Sequence, residues 1–292
     1  MTTAPLTSIA TAATAGPDAK NPGSGSPLTA VQRQQFLTAG YCAVPAFFTP
    51  REVDAMRREL DRLRALGEFK NVSTDGDGKT TSQQKANLQL IPIYPKSTLF
   101  RALPFASKVV STIGQLIGDP FILHLDQVFL KPGRHGSGTN WHQDNAYFKV
   151  ADPMMGTAMW IAIHDATIAN GTIRVIPGVM KEKLEHSRDP ESNHHIRCFP
   201  DEAQAVPVEI KAGGAVFFAY GTPHATGANN TDHERTGVAL HFLRSDFAQE
   251  DLIQEPRLCR PVLSGPKATG GVAEYGVRVA GTWEGEVAAA LK

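Results

Sequence analysis

From Pro120 onward the chain consists of short apolar runs separated by turn formers, and this spacing limits the folds open to it. "FILHLDQVFLKPG", "GTAMWIAIHDAT", "GTIRVIPG", "AVPVEIKAGGAVFFAYGTPH" and "TGVALHFLRS" are rich in Val, Ile and Phe, with Gly, Pro and Asn as punctuation. Strands at this spacing predict an antiparallel sandwich or barrel. No internal repeat is evident.

The segment before Pro120 has a helical texture. "LTAVQRQQFLTAGYCAVPAFF" predicts a short helix with Val31, Phe36 and Leu37 inward, a stop at Gly40 and a strand at Tyr41 to Val44. Thr49 reads as an N-cap with Pro50 in the first helical position. The following helix carries Val53, Met56, Leu60, Leu63 and Leu66 on one stripe. Asn71 to Asn87 is polar and glycine-containing, the texture of a long binding loop or lid. It lacks the G-K-[ST] ending of a phosphate cradle. A helix from about Leu103 to Ile117 closes this part.

The chain therefore divides into a disordered tail at 1–27, biased to Ala, Thr, Gly, Pro and Ser, and a single domain at 28–292. That domain has a mostly helical part at 28–119, a β core at 120–245 and a C-terminal segment at 246–292. With 29 basic and 29 acidic residues, phosphate neutralisation gives no reason to expect nucleic-acid binding. No apolar run is long enough for a transmembrane helix. Cys42, Cys198 and Cys259 are far apart and odd in number, which fits free thiols in a reducing, cytoplasmic setting. The N-terminus is a poor secretory signal, and the oligomeric state is not legible.

Two His-x-Asp pairs stand out, His124-Leu125-Asp126 and His142-Gln143-Asp144. For 10 His in 292 residues, chance supplies roughly half a match, so one pair alone means little. On a strand, residues i and i+2 share a face. Two side chains of this kind either grip one metal ion or are ordinary satisfied polar groups. A 2-His-1-carboxylate site needs a further histidine from elsewhere. His224, in the turn "YGTPHATG", is the strongest candidate, with His233 and His241 as alternatives. Arg235 follows eleven residues later and enters an apolar run. An arginine aimed into a β core is costly unless it meets an anion, and a guanidinium suits a carboxylate. The competing reading is a surface ion pair with Asp232 or Glu234.

His-x-Asp, a distal His and an Arg eleven residues on resemble the iron(II)/2-oxoglutarate-dependent dioxygenases. The blocks "LTAVQRQQFLTAGYCAVPAFFTPREVDAMRREL", "WHQDNAYF", "MWIAIHDATIANGTIRVIPG" and "GGAVFFAYGTPHATGANNTDHERTGVALHF" resemble, in order, those of the phytanoyl-CoA dioxygenase family over roughly residues 28 to 245. The resemblance implies a mainly β fold with flanking helices, a double-stranded β-helix of the jelly-roll, cupin-like kind. It implies iron(II), 2-oxoglutarate and dioxygen as cofactors. The expected reaction hydroxylates an unactivated carbon of a small molecule and releases succinate and carbon dioxide.

Carried over by position, the resemblance makes His142, Asp144 and His224 the iron ligands. Arg235 would pair with the distal carboxylate of 2-oxoglutarate, Thr226 would hydrogen-bond it, Trp160 would lie beside it, and Gln127 is a further candidate for the same cavity. Asn170-Gly171 and Pro177-Gly178 match turns of the family. The pattern departs at Val179-Met180, where the family often has Ser-His. Because a carboxylate is retained at Asp144, hydroxylation, desaturation or cyclisation is expected rather than halogenation.

The same comparison makes His124 and Asp126 an ordinary β pair. Asn145, Tyr147 and Phe148 are candidates to face substrate, and a secondary-metabolite intermediate is one expectation for its kind. Arg134 and Lys131 precede the motif in a glycine-rich loop, where solvated charges are the simpler expectation and an anionic substrate the other. His135, His164, His186, His194 and His195 show no partner pattern. Two rival classes are a cupin-like metalloenzyme that does not use 2-oxoglutarate and a non-catalytic binding module.

Overall fold

The computed structural model describes residues 28–249, 260–268, 270 and 281–292. The expected tail at 1–27, much of the C-terminal segment and Cys259 lie outside the described residues. In chain order the N-terminal part contains α1 (Ala30–Ala39), β1 (Tyr41–Val44), α2 (Pro50–Ala65), β2 (Lys70–Asn71), β3 (Leu88–Leu90), α3 (Thr98–Ala102) and α4 (Ser107–Ile117). The β-rich part follows with β4 (Phe121–Lys131), β5 (Thr139–His142), the one-turn α5 (Asn145–Phe148), β6 (Gly156–Ala162) and β7 (Ile173–Val175). It continues through β8 (Ser187–Arg188), β9 (Ile196–Arg197), β10 (Val206–Pro207), β11 (Ala215–Ala219), β12 (His224–Thr226) and β13 (Arg235–Arg244), and α6 (Trp283–Ala290) comes last.

Seven strands form one antiparallel sheet in the order β1-β11-β6-β13-β4-β3-β2, and four form a second in the order β10-β7-β12-β5. Apart from the β4-β3-β2 edge, all neighbours in both sheets are non-sequential, as in a double-stranded β-helix. The central strands β6, β11 and β13 are buried on both faces, which explains why they read as continuous apolar runs rather than alternating ones. In β6, Met159 and Ile161 join the cluster against the helices, which includes Phe36, Met56, Leu63 and Ile113. Ala158, Trp160 and Ala162 pack between the sheets with Ile173, Val175 and Phe218. The period of two along a strand thus sends alternate residues to two different cores.

The helical layer forms as the caps predict. Thr29 and Thr49 each close a capping box, with Gln32 and Glu52 respectively, and Pro50 opens α2. Two details differ. In α1 only Phe36 is buried, while Val31 and Leu37 are exposed; Gln32, half-buried, donates to the Ala43 carbonyl of β1. Leu66 is exposed too; it caps α2, and Gly67 at φ +74° turns the chain away. The helix expected from Leu103 begins with a 3-10 turn at Leu103–Phe105 and becomes α-helical at Ser107. The polar loop at 71–87 is pinned through Ser73–Ser192 and Thr74–Thr81 bridges. It therefore braces the segment that carries His194 and His195.

Candidate active site

The space between the two sheets is a cavity. The large sheet lines it with Gln127, Phe129 and Lys131 of β4, Trp160 of β6, and Arg235 and His241 of β13; the small sheet contributes Thr139, His142, His224 and Thr226. At one end three donors meet. His142, Asp144 and His224 offer ligand atoms that all lie within 4.8 Å of one another.

Local structure aims each of these donors. His142 and His224 are directly paired across β5 and β12, so their rings come together, with centroids 4.2 Å apart. His142 Nδ1 lies 2.8 Å from the Asn140 carbonyl and His224 Nδ1 lies 3.0 Å from the Thr222 carbonyl. A carbonyl only accepts, so both Nδ1 atoms carry the proton and both Nε2 lone pairs are free. Those Nε2 atoms stand 3.9 and 3.8 Å from Asp144 Oδ1.

Asp144 does not arrive by strand alternation. β5 stops at His142, and Asp144 already has helical backbone at the head of α5. The intervening Gln143 makes the turn. Its buried amide donates to the carbonyls of Gly221 and Glu182, at 2.6 and 2.7 Å, and accepts from Leu184 N–H. Gly221 lies three residues before His224, so Gln143 ties the two halves of the donor set together.

Burial pushes the Asp144 carboxyl up, but the imidazoles of His241, His224 and His142 outweigh it and hold the group below the usual carboxylate range. Burial, reinforced by His142, lowers His224 to about 4; burial also lowers His142. A carboxylate beside two neutral imidazoles is the donor state a divalent metal requires. Asp144 Oδ2 is buried with no hydrogen-bond partner among the described groups, and His241 Nε2 stands 3.2 Å away. The set therefore fits a non-haem iron ion, which these three residues would hold.

At the other end Arg235 is fully buried. Its Nη2 donates to Gly171 O at 2.5 Å, while Nε and Nη1 have no partner. The two acidic neighbours in sequence are engaged elsewhere, Asp232 with Arg134 and Glu234 with Arg64, so the surface-pair reading fails. Trp160 lies 5.5 Å from the guanidinium carbon. Gly237 makes room for it, since a Cβ there would meet the indole at 2.4 Å. Gly171 and Gly178, both at positive φ, occupy the expected turns.

A second cavity opens on the metal side, where Gln89, Ile91, Leu125, Gln127, Phe129, Tyr147, Phe148, His194 and His195 surround His142 and Asp144. Tyr147 and Phe148 thus reach the site. Asn145 does not; its side chain makes two hydrogen bonds with the Val150 backbone and closes the α5 turn. Arg134 is exposed and paired with Asp232. Lys131 overturns its expectation: it is the last residue of β4, 1% exposed, and lines the cavity. Its parity with Gln127 and Phe129 was the available signal. His233 is exposed, whereas His241 touches the carboxylate rather than completing the donor set. His124 and Asp126 stay structural. Asp126 Oδ2 accepts from the backbone N–H groups of Ile93 and Tyr94, and His124 packs on Phe148 and Tyr220.

A His-Asp-His set inside a double-stranded β-helix, with a buried unpaired arginine across the same cavity, defines the iron(II)/2-oxoglutarate-dependent dioxygenases. Sequence comparison makes the assignment more specific. The phytanoyl-CoA dioxygenase family model matches residues 36–237, and the chain belongs to that family. It is 24% identical over 250 residues to the ectoine dioxygenase of Halomonas elongata, covering 79% of this chain and 74% of that protein. Among solved structures, the non-heme alpha-ketoglutarate-dependent carbocyclase SnoK from nogalamycin biosynthesis superposes with a TM-score of 0.67 at 19% identity, covering 82% of this chain and 93% of that one. The epimerase SnoN, in complex with Fe3+, alpha-ketoglutarate and nogalamycin RO, superposes at 0.63 with 21% identity, covering 81% and 90%. Among the described residues no helix is long and apolar enough to cross a membrane.

Proposed function

We propose that this protein hydroxylates an unactivated carbon of a small organic molecule, with conversion of 2-oxoglutarate to succinate and carbon dioxide. In this reading His142 Nε2, Asp144 and His224 Nε2 hold iron(II), while Arg235, Thr226 and Trp160 receive the far carboxylate of 2-oxoglutarate. The bound metal and cosubstrate supply activation of dioxygen, the chemistry that side chains alone do not provide. The chain's own contribution is placement. The Asn140 and Thr222 carbonyls fix the ligand tautomers, and Gln143 locks the His-x-Asp turn to the β12 side.

The observation that carries the reading is the pairing of two unmet needs in one cavity. A donor set with an unsatisfied carboxylate oxygen lies at one end, and a guanidinium with two unsatisfied nitrogens lies at the other. A keto-acid that chelates a metal with one end and carries a carboxylate at the other answers both. The adjoining cavity, which includes Gln89, Gln127, Phe129, Tyr147, Phe148 and two imidazoles, supports an uncharged organic substrate of the secondary-metabolite kind. Apart from Asp144, its lining among the described residues holds no Asp, Glu, Lys or Arg.

The test is anaerobic addition of iron(II) and 2-oxoglutarate to metal-free protein. A weak visible charge-transfer band is expected, absent in His142→Ala and weakened at fixed cosubstrate in Arg235→Ala. Iron binding with no band rejects 2-oxoglutarate as chelator and favours a cupin-like metalloenzyme. No iron binding favours a non-catalytic module.

A further inference from the structure

We propose that His195 and Tyr147 form a seat for a hydroxyl or carbonyl oxygen of the substrate, and that the substrate is therefore a neutral alcohol, phenol or ketone with an apolar body. The proposal rests on the reading that places substrate in the cavity on the metal side, and it deepens that reading by naming two groups that choose the molecule.

Three observations lead to it. First, His195 is buried, at 8% exposure, and lines that cavity. Its backbone is engaged: the N–H donates to Ser192 Oγ, and the carbonyl accepts from the Asp189 N–H and an Arg188 guanidinium nitrogen. Its ring stands edge-on to Phe129 and His194 and makes no hydrogen bond among the described residues. A buried polar group without a partner is costly, and a ligand in the cavity supplies the missing partner. Burial, and then the His194 and His142 imidazoles, hold the ring well below its usual range. It stays neutral and offers one N–H donor and one lone pair. Second, Tyr147 reaches the same place from the metal side. It lies on α5, and its ring centroid is 6.1 Å from that of His142. Its hydroxyl accepts from the Ile196 backbone N–H at 2.9 Å. That nitrogen is bonded to the His195 carbonyl carbon, so one peptide unit links the hydroxyl to the His195 backbone. A hydroxyl that accepts keeps its own proton to donate.

Third, the seat is braced and its walls carry almost no charge. Ser73 pairs with Ser192, Thr74 Oγ1 donates to the Pro190 carbonyl, and the Asn193 N–H donates to the Val72 carbonyl at 3.0 Å. Groups held in place beforehand cost less to order when a ligand arrives. Leu125, Phe129 and Phe148 supply apolar walls. Apart from Asp144, no Asp, Glu, Lys or Arg lines the cavity among the described residues, so an ionised substrate group would find no counter-ion. The combination selects an apolar body that carries a neutral oxygen.

Phenol and toluene test this, because they carry a hydroxyl and a methyl group on the same ring. Dissociation constants are measured on the metal-free protein by ligand-observed NMR titration. The unsubstituted protein is expected to bind phenol about fivefold more tightly than toluene. His195→Phe should weaken phenol by about that factor and leave toluene within about twofold, which erases the preference. Tyr147→Phe should show the same selectivity, and it carries the test if His195→Phe does not fold. Equal weakening of both probes reduces these side chains to packing. A preference that survives both substitutions places the oxygen elsewhere. No phenol binding by the unsubstituted protein, or no preference over toluene, removes the seat. Each of these results overturns the proposal. The probes are read without iron or 2-oxoglutarate, so the two readings fail separately. A missing charge-transfer band with phenol selectivity intact rejects the proposed function and leaves an oxygen seat without that chemistry. A normal band with no phenol selectivity rejects the seat alone.

Discussion

The chain spells His-x-Asp twice, eighteen residues apart, and the two copies end in opposite circumstances. His124-Leu125-Asp126 lies in the middle of the long strand β4, where alternation places both side chains in packed surroundings. Asp126 is used up by two backbone N–H groups and His124 by Tyr220. His142-Gln143-Asp144 lies where β5 ends and a single helical turn begins. There the imidazole Nδ1 is spent on the backbone, while its Nε2 converges with the Asp144 carboxylate and His224 in one donor set. The lesson is that the motif does not make the site. A metal pair needs donors whose other valences are satisfied and whose reactive atoms are not, and a strand end supplies that more readily than a strand centre.

The largest contrast should come from deleting a donor in each copy. His142→Ala and Asp144→Ala are expected to cut turnover by at least about a thousandfold with the fold retained; succinate release and circular dichroism on the same samples decide it. Asp126→Ala should do the reverse. It strands two buried N–H groups and costs about 3 kcal/mol of stability, while iron stoichiometry per folded protein stays unchanged. Lost iron binding in a folded Asp126→Ala protein would break the distinction.

A smaller effect separates ligand from neighbour. His241→Phe removes the imidazole beside Asp144 Oδ2 and should weaken iron binding by about 10- to 100-fold without abolishing it. Complete loss, measured by metal competition, would promote His241 to a ligand.

The smallest effect is on acid stability of the metal-free protein. Burial holds His124 at about 3, below its unfolded value of about 6.5. Between those values the unfolded chain binds a proton that the folded chain refuses, so stability is full above about pH 6.5 and falls as pH drops toward 3. Burial raises Asp126 to about 6 against its hydrogen bonds. Its contribution has the opposite sign, present below about pH 3.8 and lost as pH rises through 6. His124→Gln should therefore flatten the acid limb of a urea-denaturation series between pH 6.5 and 4, and Asp126→Asn should steepen it. Parallel curves for all three proteins would show that neither group is held as described.

Much of the architecture is legible in the chain. The caps at Thr29 and Thr49, the strands from Pro120 onward and the arginine entering an apolar run all depend on local chemistry, and local chemistry is visible in sequence. Lys131 was misread because a Pro-Gly pair follows it, which suggested a loop, while its parity with Gln127 put it inside. Gln143 was passed over because its work is done through Gly221, Glu182 and Leu184, partners some forty to eighty residues away.

The sequence by itself determined the element types, the family and a short list of candidate donors, because side-chain chemistry and short-range spacing carry that information. The tertiary structure decided which His-x-Asp copy faces open space, which histidine completes the set and which merely leans on it. It alone placed Lys131 against Arg235 across β4 and β13. Those outcomes depend on strand register and on which face of a doubly buried sheet each residue takes, and a shift of one residue would reverse every one of them.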